Sequence, residues 1–504
     1  MRIEDLAKKN GQTAQIQGWV ANKRESKGLV FLNLRDGSGI VQCIVSADNI
    51  DEKLFQEIAS LGLESSLEIA GKVVQDERQI GGYEIHVDEA KIIQNVSEYP
   101  IANKEHGAEF LMDKRHLWLR SRRQWAIMRV RNTIIFSIHN FFQKEGFVQM
   151  DAPILTANAC EGTTDLFTVD YFENEAYLSQ SGQLYGEAMA MALGKIYTFG
   201  PTFRSEKSKT RRHLAEFWMI EPEMIFCDIF QNMDVIEKFI QHVVAEVLAK
   251  NENELNVLDR DLEPLRSVEK SFTRLSYDQA VQILKGQEKV NGQSTLDLIQ
   301  KELQELKEEK EKLEMDNEER QHIITKGGIK KGKLAFLQST IDKQKQRIKQ
   351  IEEDQRNLPQ WLESAKNFAY GNDFGGSDET VLTKMFDVPV MVYDWPHEIK
   401  AFYMKRNPDN PKFARGVDLL APEGYGEIVG GGERETDVEW LKEKIIEHKL
   451  PMEEFEWYLD LRRYGTVPHS GFGLGLERLV SWICKLHHVR EAIPFPRMYG
   501  RIEP

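Results

Sequence analysis

At 504 residues, 41% of them hydrophobic, the chain is longer than one hydrophobic core usually serves, so two or more domains are expected. No apolar run approaches the ~18 residues of a membrane span, and the opening MRIEDLAKKNGQ lacks the apolar core of a signal peptide, so a cytoplasmic protein with no membrane partner is expected. A formal net charge of −15 excludes general affinity for polyanions and leaves any nucleic-acid contact to local patches. Cys43, Cys160, Cys227 and Cys484 form no CxxC or Cys/His cluster, which argues against a disulfide framework or a structural zinc.

Residues 13–45 alternate apolar and polar with breaks at Lys27-Gly28 and Asp36-Gly37, and strand-like runs follow at Ser66–Val74 and Gly82–Gln94. About five short strands fit a small β-barrel, of which the OB-fold is one kind. Residues 101–125 then read as a hinge, within the base-rich stretch Asn103–Arg131. Those bases suit either phosphate contacts or a solvated helix face.

From Ile127, apolar residues recur at helical spacing through Val130, Ile134, Ile138 and Phe141 until Gly146. Strand-like runs follow at Tyr177–Ser179, Ile196–Arg204, Phe217–Phe226, Val388–Tyr393, Phe402–Met404, Gly416–Leu420 and Gly426–Gly430, which suggests an α+β domain around an antiparallel sheet over residues 126–504. Residues 285–357 break this rhythm. Leu296–Asp316 and Leu334–Asp354 are Glu/Lys/Gln-rich with Leu and Ile at heptad-like spacing, which predicts an inserted antiparallel helical hairpin turning near Gly327-Gly328.

Three groups of residues carry chemistry. The runs Ile196–Arg204 and His213–Phe226 flank the polar loop SEKSKTRR, placing Arg204, Glu206, Arg212 and His213 near one mouth with Phe217 below. Guanidinium groups grip phosphate or carboxylate, and an aromatic face can hold a nucleobase. In HSGFGLGLERLVSWIC, Gly473 and Gly475 precede an amphipathic helix with Arg478 in its first turn, where an anion is favoured. That spacing lacks the third glycine of GxGxxG, and no P-loop is present. In GVDLLAPEGYGEIVGGGERE, Asp418 and Glu427 bracket a turn, and such paired carboxylates suit Mg²⁺ beside phosphate. Arg434 follows a glycine triplet that lets a substrate lie close to the backbone.

In this order, these groups resemble motifs of the class II aminoacyl-tRNA synthetases, over nearly the whole chain apart from the hairpin. GFVQMDAPILT is similar to motif 1 at that family's dimer interface, FRSE with RRHLAEF to motif 2, and GLGLER to motif 3. An OB barrel followed by such a domain resembles the aspartate, asparagine and lysine subgroup.

The resemblance implies ATP and Mg²⁺ as cofactors, a homodimer, and Arg204, Glu427 and Arg478 as catalytic residues. It implies ATP contacts from Arg204, Glu206, Arg212, His213, Leu214, Phe217, Glu427, Gly475, Leu476, Glu477 and Arg478, with Asp418 and Glu427 on the metal. Glu161, Gln183, Glu221, Gly430 and Arg434 would contact the amino acid, and Phe31, Gln42 and Arg24 the anticodon.

Aspartyl members carry a lysine where this chain has Gly186, and Glu221 stands where they tend to have Asp. Both features imply L-asparagine and tRNA(Asn) as substrates, by way of an adenylate and with release of AMP and pyrophosphate. Gly432 departs from the pattern, since Ser is common there in asparaginyl members. The alternatives are an aspartyl enzyme, discriminating or not, and a noncatalytic RNA-binding relative.

Overall fold

Period-two alternation in the first hundred residues folds as the pattern requires. In the computed structural model, which describes residues 1–102, 104, 106–157, 166–208 and 210–503, strands β1 (Thr13–Ser26), β2 (Leu29–Arg35), β3 (Ile40–Ser46), β4 (Ser66–Gln75) and β5 (Tyr83–Gln94) close into a barrel of order β1-β2-β3-β5-β4. Alternate residues such as Ile16, Val30, Leu32, Cys43, Ile69 and Ile85 fill its interior. Each fully buried Leu, Ile or Val contributes roughly 1.5–3 kcal/mol relative to exposure. The same alternation therefore leaves Phe31 and Gln42 on the outer face.

The chain divides into two compact units, Met1–Ser121 and Arg122–Pro504. Several bases of the stretch Asn103–Arg131 are already ion-paired: Arg120 with Glu64, Arg123 with Glu491, Arg129 with Glu254 and Arg131 with Glu477. Their geometry favours structural roles over phosphate contact.

The second unit is built on an eight-stranded sheet. Its strands are β6 (Val148–Met150), β7 (Lys195–Phe203), β8 (Glu216–Ile225), β9 (Thr273–Ser276), β10 (Val390–Pro396), β11 (Phe413–Ala421), β12 (Gly426–Glu433) and β13 (His469–Gly475). The order is β9-β10-β11-β12-β13-β8-β7-β6, antiparallel except for the β9/β10 and β7/β6 pairs at the edges.

Helices Arg122–Lys144 and Ile229–Lys250 cover one face, burying Ile127, Val130, Ile134 and Ile138 of the first and Ile236, Phe239, Ile240 and Val243 of the second against Ile220, Val429 and Leu474 of the sheet. The second helix starts at a capping box in which Asp228 and Gln231 satisfy each other's backbone N–H groups. The opposite face is left for the site.

Three expectations change. Phe402–Met404 is no strand: Phe402 and Tyr403 are buried against Leu441, Phe455 and Tyr458, and only Met404 makes an isolated bridge, to Arg434. A short apolar run cannot by itself separate pairing from packing. His469–Gly475, read as a glycine-spaced lead into a helix, is instead a central strand. The hairpin helices run Thr295–Lys326 and Lys331–Lys366, so the second continues past residue 357. No helix among the described residues is long and apolar enough to cross a membrane.

Candidate active site

Strand β8 forms the floor. Its alternation sends Trp218, Ile220 and Met224 into the helix-covered core, while Phe217, Met219, Glu221 and Glu223 line two cavities on the other face. The larger, about 410 Å³, is lined by Gln183, Glu221, Glu223, Asp418, Gly430 and Arg434 among others. The narrower, about 100 Å³, is lined by Arg212, His213, Leu214, Phe217, Gly475, Glu477 and Arg478. Arg204, Met219, Glu427 and Gly473 belong to both, so the two chambers meet at a guanidinium and a carboxylate.

In the larger chamber, charge is buried and paired. Arg434, 2% exposed, donates to both oxygens of Glu223 through Nη2 and Nε. Burial, joined by the nearby carboxylates of Glu187 and Glu221, pushes Glu223 up to about 7 against the pull of Arg434.

Glu221 accepts from the Ser181 hydroxyl, from Gly182 N at 2.8 Å and from the Thr198 hydroxyl at 3.1 Å, which orients its carboxylate along the floor. Gln183 starts helix α1 (Gln183–Leu193) and donates to Glu187 at 3.1 Å. Glu187 in turn accepts from Arg462 at 2.6 Å, Tyr458 at 2.7 Å and His469 at 3.0 Å. Burial opposes its charge, but Arg462 and His469 hold it well below the usual carboxylate range.

Gly186 faces this group. A Cβ there would lie 3.4 Å from Glu223 Cγ, so a lysine at this position would reach the Glu223–Arg434 pair. The departure at Gly432 has a packing reason: a Cβ would meet Arg415 O and Met404 Sδ at 2.6 Å, which the backbone contact forbids without a shift.

The narrower chamber gathers cations. Arg204 stands 5.4 Å from the Phe217 ring centroid. Arg478, in the first turn of helix α2 (Leu476–Ile483), donates to the Glu427 carbonyl at 2.9 Å and to its carboxylate at 3.3 Å. Arg212 donates to Glu379 at 2.8 Å and to Gly424 O at 2.5 Å. Burial lowers the His213 pKa, and Arg478, Arg204 and Arg212 lower it further.

Glu427 overcomes its burial because Arg478, Lys400 and Arg204 favour its charge, so its pKa lies below the usual range. Glu379 moves the other way, to about 7, through burial and the neighbouring Glu427. Glu206 is exposed on the loop outside the cavity lining, and the Leu476 side chain enters the core beneath the sheet. Leu476 can therefore reach a ligand only through its backbone. Glu477 is held by Arg131 at 2.7 Å and by Trp218 N at 3.0 Å.

Asp418 and Glu427 converge on Gly430, where a Cβ would lie 2.9 Å from Glu427 Oε1 and 3.5 Å from Asp418 Oδ1. The other Asp418 oxygen accepts from Lys400 at 2.6 Å, and burial raises the Asp418 pKa to about 7. Two carboxylate oxygens in the lining of the larger cavity fit a hard cation that completes its shell with water and phosphate.

Glu161 lies outside the described residues. Sequence reasoning missed Glu223, Glu187, Lys400 and Glu379. The first had a signal, since it follows Glu221 by two residues on one strand and so shares its face; the others come from distant segments.

On the barrel, Arg24 lies opposite Phe31 across the β1/β2 pair with its guanidinium 4.8 Å from the ring centroid. Gln42 pairs with Asn33, two residues along the same face, and donates to Glu84 at 3.1 Å. Glu84 was not singled out from sequence.

Residues 107–499 match the family described as tRNA synthetases class II (D, K and N), and residues 14–93 match the OB-fold nucleic acid binding domain. An asparagine–tRNA ligase of Sorangium cellulosum is 46% identical, covering 99% of this chain and 98% of its own. One from Lactobacillus johnsonii is 44% identical, over 100% and 99%. The crystal structure of asparaginyl-tRNA synthetase from Pyrococcus horikoshii complexed with asparaginyl-adenylate superposes with a TM-score of 0.82 at 37% identity, covering 100% of this chain and 99% of that one. With a family match over most of its length and full-length relatives well above 30% identity, the chain belongs to the class II tRNA synthetases of the D, K and N group.

Proposed function

We propose that the chain activates L-asparagine with ATP and transfers it to tRNA(Asn) in the cytoplasm. The observation that carries this reading is the junction at Arg204 and Glu427, where a chamber sized for a small amino acid opens into one walled by an aromatic ring and three arginines. Relatives that match full length carry the name asparagine–tRNA ligase, and the Pyrococcus horikoshii structure is described as holding asparaginyl-adenylate.

The chemistry follows from that placement. The asparagine carboxylate attacks the α-phosphorus; a C–O–P linkage forms, the bond to the β-phosphate oxygen breaks, and pyrophosphate leaves. Arg204, at the junction, holds both reacting anions, Phe217 stacks on adenine, and Arg478 takes the γ-phosphate charge. Fixed cations stabilise the gathering negative charge more than reorienting water does. Asp418 and Glu427 would hold Mg²⁺, which supplies further neutralisation of the phosphates. No nucleophilic side chain is required, and the terminal ribose hydroxyl of tRNA then takes the acyl group and releases AMP, by positioning.

Preference for asparagine over aspartate rests on carboxylates. Glu221 and Glu223 line the amino-acid chamber, and Gly186 supplies no cation there. An amide donates to such groups and accepts from Arg434, whereas a carboxylate repels them; a site of this kind penalises the mismatched isostere.

The decisive measurement is ATP–pyrophosphate exchange, expected with asparagine and not with aspartate, and abolished by chelating Mg²⁺. Exchange driven by aspartate alone would reverse the specificity, and none with either would leave an RNA-binding relative. On the barrel, Phe31→Ala should weaken tRNA charging and spare exchange; equal loss of both removes Phe31 from the anticodon. The exposed apolar residues Phe136, Val148, Ile154 and Leu155 support a homodimer through the motif 1 region. Sedimentation as a monomer at micromolar concentration would discard that part.

A further inference from the structure

The hairpin helices Thr295–Lys326 and Lys331–Lys366, here α3 and α4, divide their charge unevenly. In the stem, acids are interspersed with the bases and several of those bases are paired: Lys310 with Glu352 at 2.8 Å, Arg347 with Glu309 at 2.8 Å, and Arg320 with Asp316 at 3.3 Å. From Arg320 to Ile341 there is no Asp or Glu, while Lys326, Lys330, Lys331 and Lys333 crowd the turn. Among the described residues, no carboxylate pairs with Lys326, Lys330 or Lys333.

Helix stability alone would not produce this tip. The start of α3 has Ser294 and Asp297 in a capping box, with the acid in the first turn where the helix dipole favours it. The start of α4 has no acid in its first turn and no side-chain cap. Its lysines stand at the positive end of the dipole, where each is unfavourable until an anion arrives. Phe336, one turn further on, is 68% exposed.

The foot of the hairpin is anchored beside the narrow chamber. Ile299, Leu306, Ile351 and Leu358 are buried at its base, and Glu353 pairs at 2.8 Å with Arg211 of the loop that carries Arg212 and His213. Lys331 precedes Glu353 on the same helix by a span of roughly 33 Å at 1.5 Å per residue.

We infer that the hairpin tip is a second RNA-binding element, which grips the tRNA phosphate backbone through Lys326, Lys330 and Lys333, apart from the adenylate chambers. The chain as a whole is acidic, so a lysine cluster without acids is where a polyanion is attracted. The inference rests on the proposed tRNA substrate, and the test keeps the two separable.

The experiment compares the full-length enzyme with Lys326→Ala/Lys330→Ala/Lys333→Ala and with a stem control, Lys301→Ala/Lys307→Ala/Lys312→Ala. Affinity for a tRNA(Asn) transcript is measured from about 50 to 200 mM salt, beside asparagine-dependent pyrophosphate exchange. The tip variant is expected to bind about tenfold more weakly at the lowest salt, with a log–log salt slope shallower by about two to three and exchange unchanged. The stem control should keep both affinity and slope. An unchanged tRNA affinity and slope in the tip variant, with exchange intact, overturns the tip and leaves the proposed reaction standing. Equal changes in both variants also overturn it, by showing that only net charge matters. An unchanged tRNA affinity joined to a smaller assembly in sedimentation assigns the tip to a second copy of the chain instead.

Discussion

The two chambers that meet at Arg204 treat charge in opposite ways. At the larger, Arg434 in the lining and Arg462 behind it are buried and each is bound to a carboxylate, so the pocket proposed for the amino acid is finished before any substrate enters. In the narrower, Arg478 is partly exposed on one weak carboxylate contact, and Glu379 beside it is pushed to about 7 by burial and by Glu427. Recognising a neutral amide requires donors and acceptors already in place, because the difference between NH₂ and O⁻ is read by fixed partners. Holding a triphosphate requires cations whose best partner is the ligand itself.

That contrast breaks first at Glu187. Glu187→Ala leaves Arg462 and His469 buried without their anion, and removing one partner of such a group costs about 3–5 kcal/mol. Urea unfolding should show a loss of that size, with a raised KM for asparagine because Gln183 loses its partner. A loss below about 1 kcal/mol would mean that the network does not preorganise the pocket.

Arg478→Ala should do the reverse. Removing one cation aimed at developing charge typically costs about 2.7–4 kcal/mol of transition-state stabilisation, so pyrophosphate exchange should fall roughly 100- to 1000-fold. Its unfolding curve should lose less than that of Glu187→Ala, since Arg478 is partly exposed and Lys400 and Arg204 still favour the Glu427 charge. A large stability loss with modest kinetic change would erase the distinction between the chambers.

The smallest effect concerns pH. Glu379 binds its proton more tightly folded than unfolded, so the stability it contributes is full below the ordinary glutamate range and is lost as pH rises through about 7. Glu379→Gln removes that dependence, and the ligand-free variant should gain on the parent between about pH 4.5 and 7, by at most about 3 kcal/mol. Melting curves across that window check it. A constant difference would show that Arg212 fully neutralises Glu379.

Legibility from sequence followed distance along the chain. The barrel was readable because each strand's alternation and each turn is local. The group Arg204, Arg212, His213 and Phe217 was readable because one hairpin of β7 and β8 brings it together. Glu379 and Lys400 were not, since they reach Glu427 and Asp418 from elsewhere in the chain and nothing local marks them. The apolar run Phe402–Met404 misled because burial against helices and pairing in a sheet ask for the same residue types.

The sequence by itself determined the barrel, the alternating floor of β8, the charge-split hairpin and the residue types needed to hold ATP and an amide. Only the tertiary structure decided which carboxylates balance which guanidiniums: that Glu223 takes Arg434, that Glu187 takes Arg462, and that Lys400 sits on Asp418. The physical reason is that pairing energy depends on separation and burial, and both are set by segments that the chain order keeps apart.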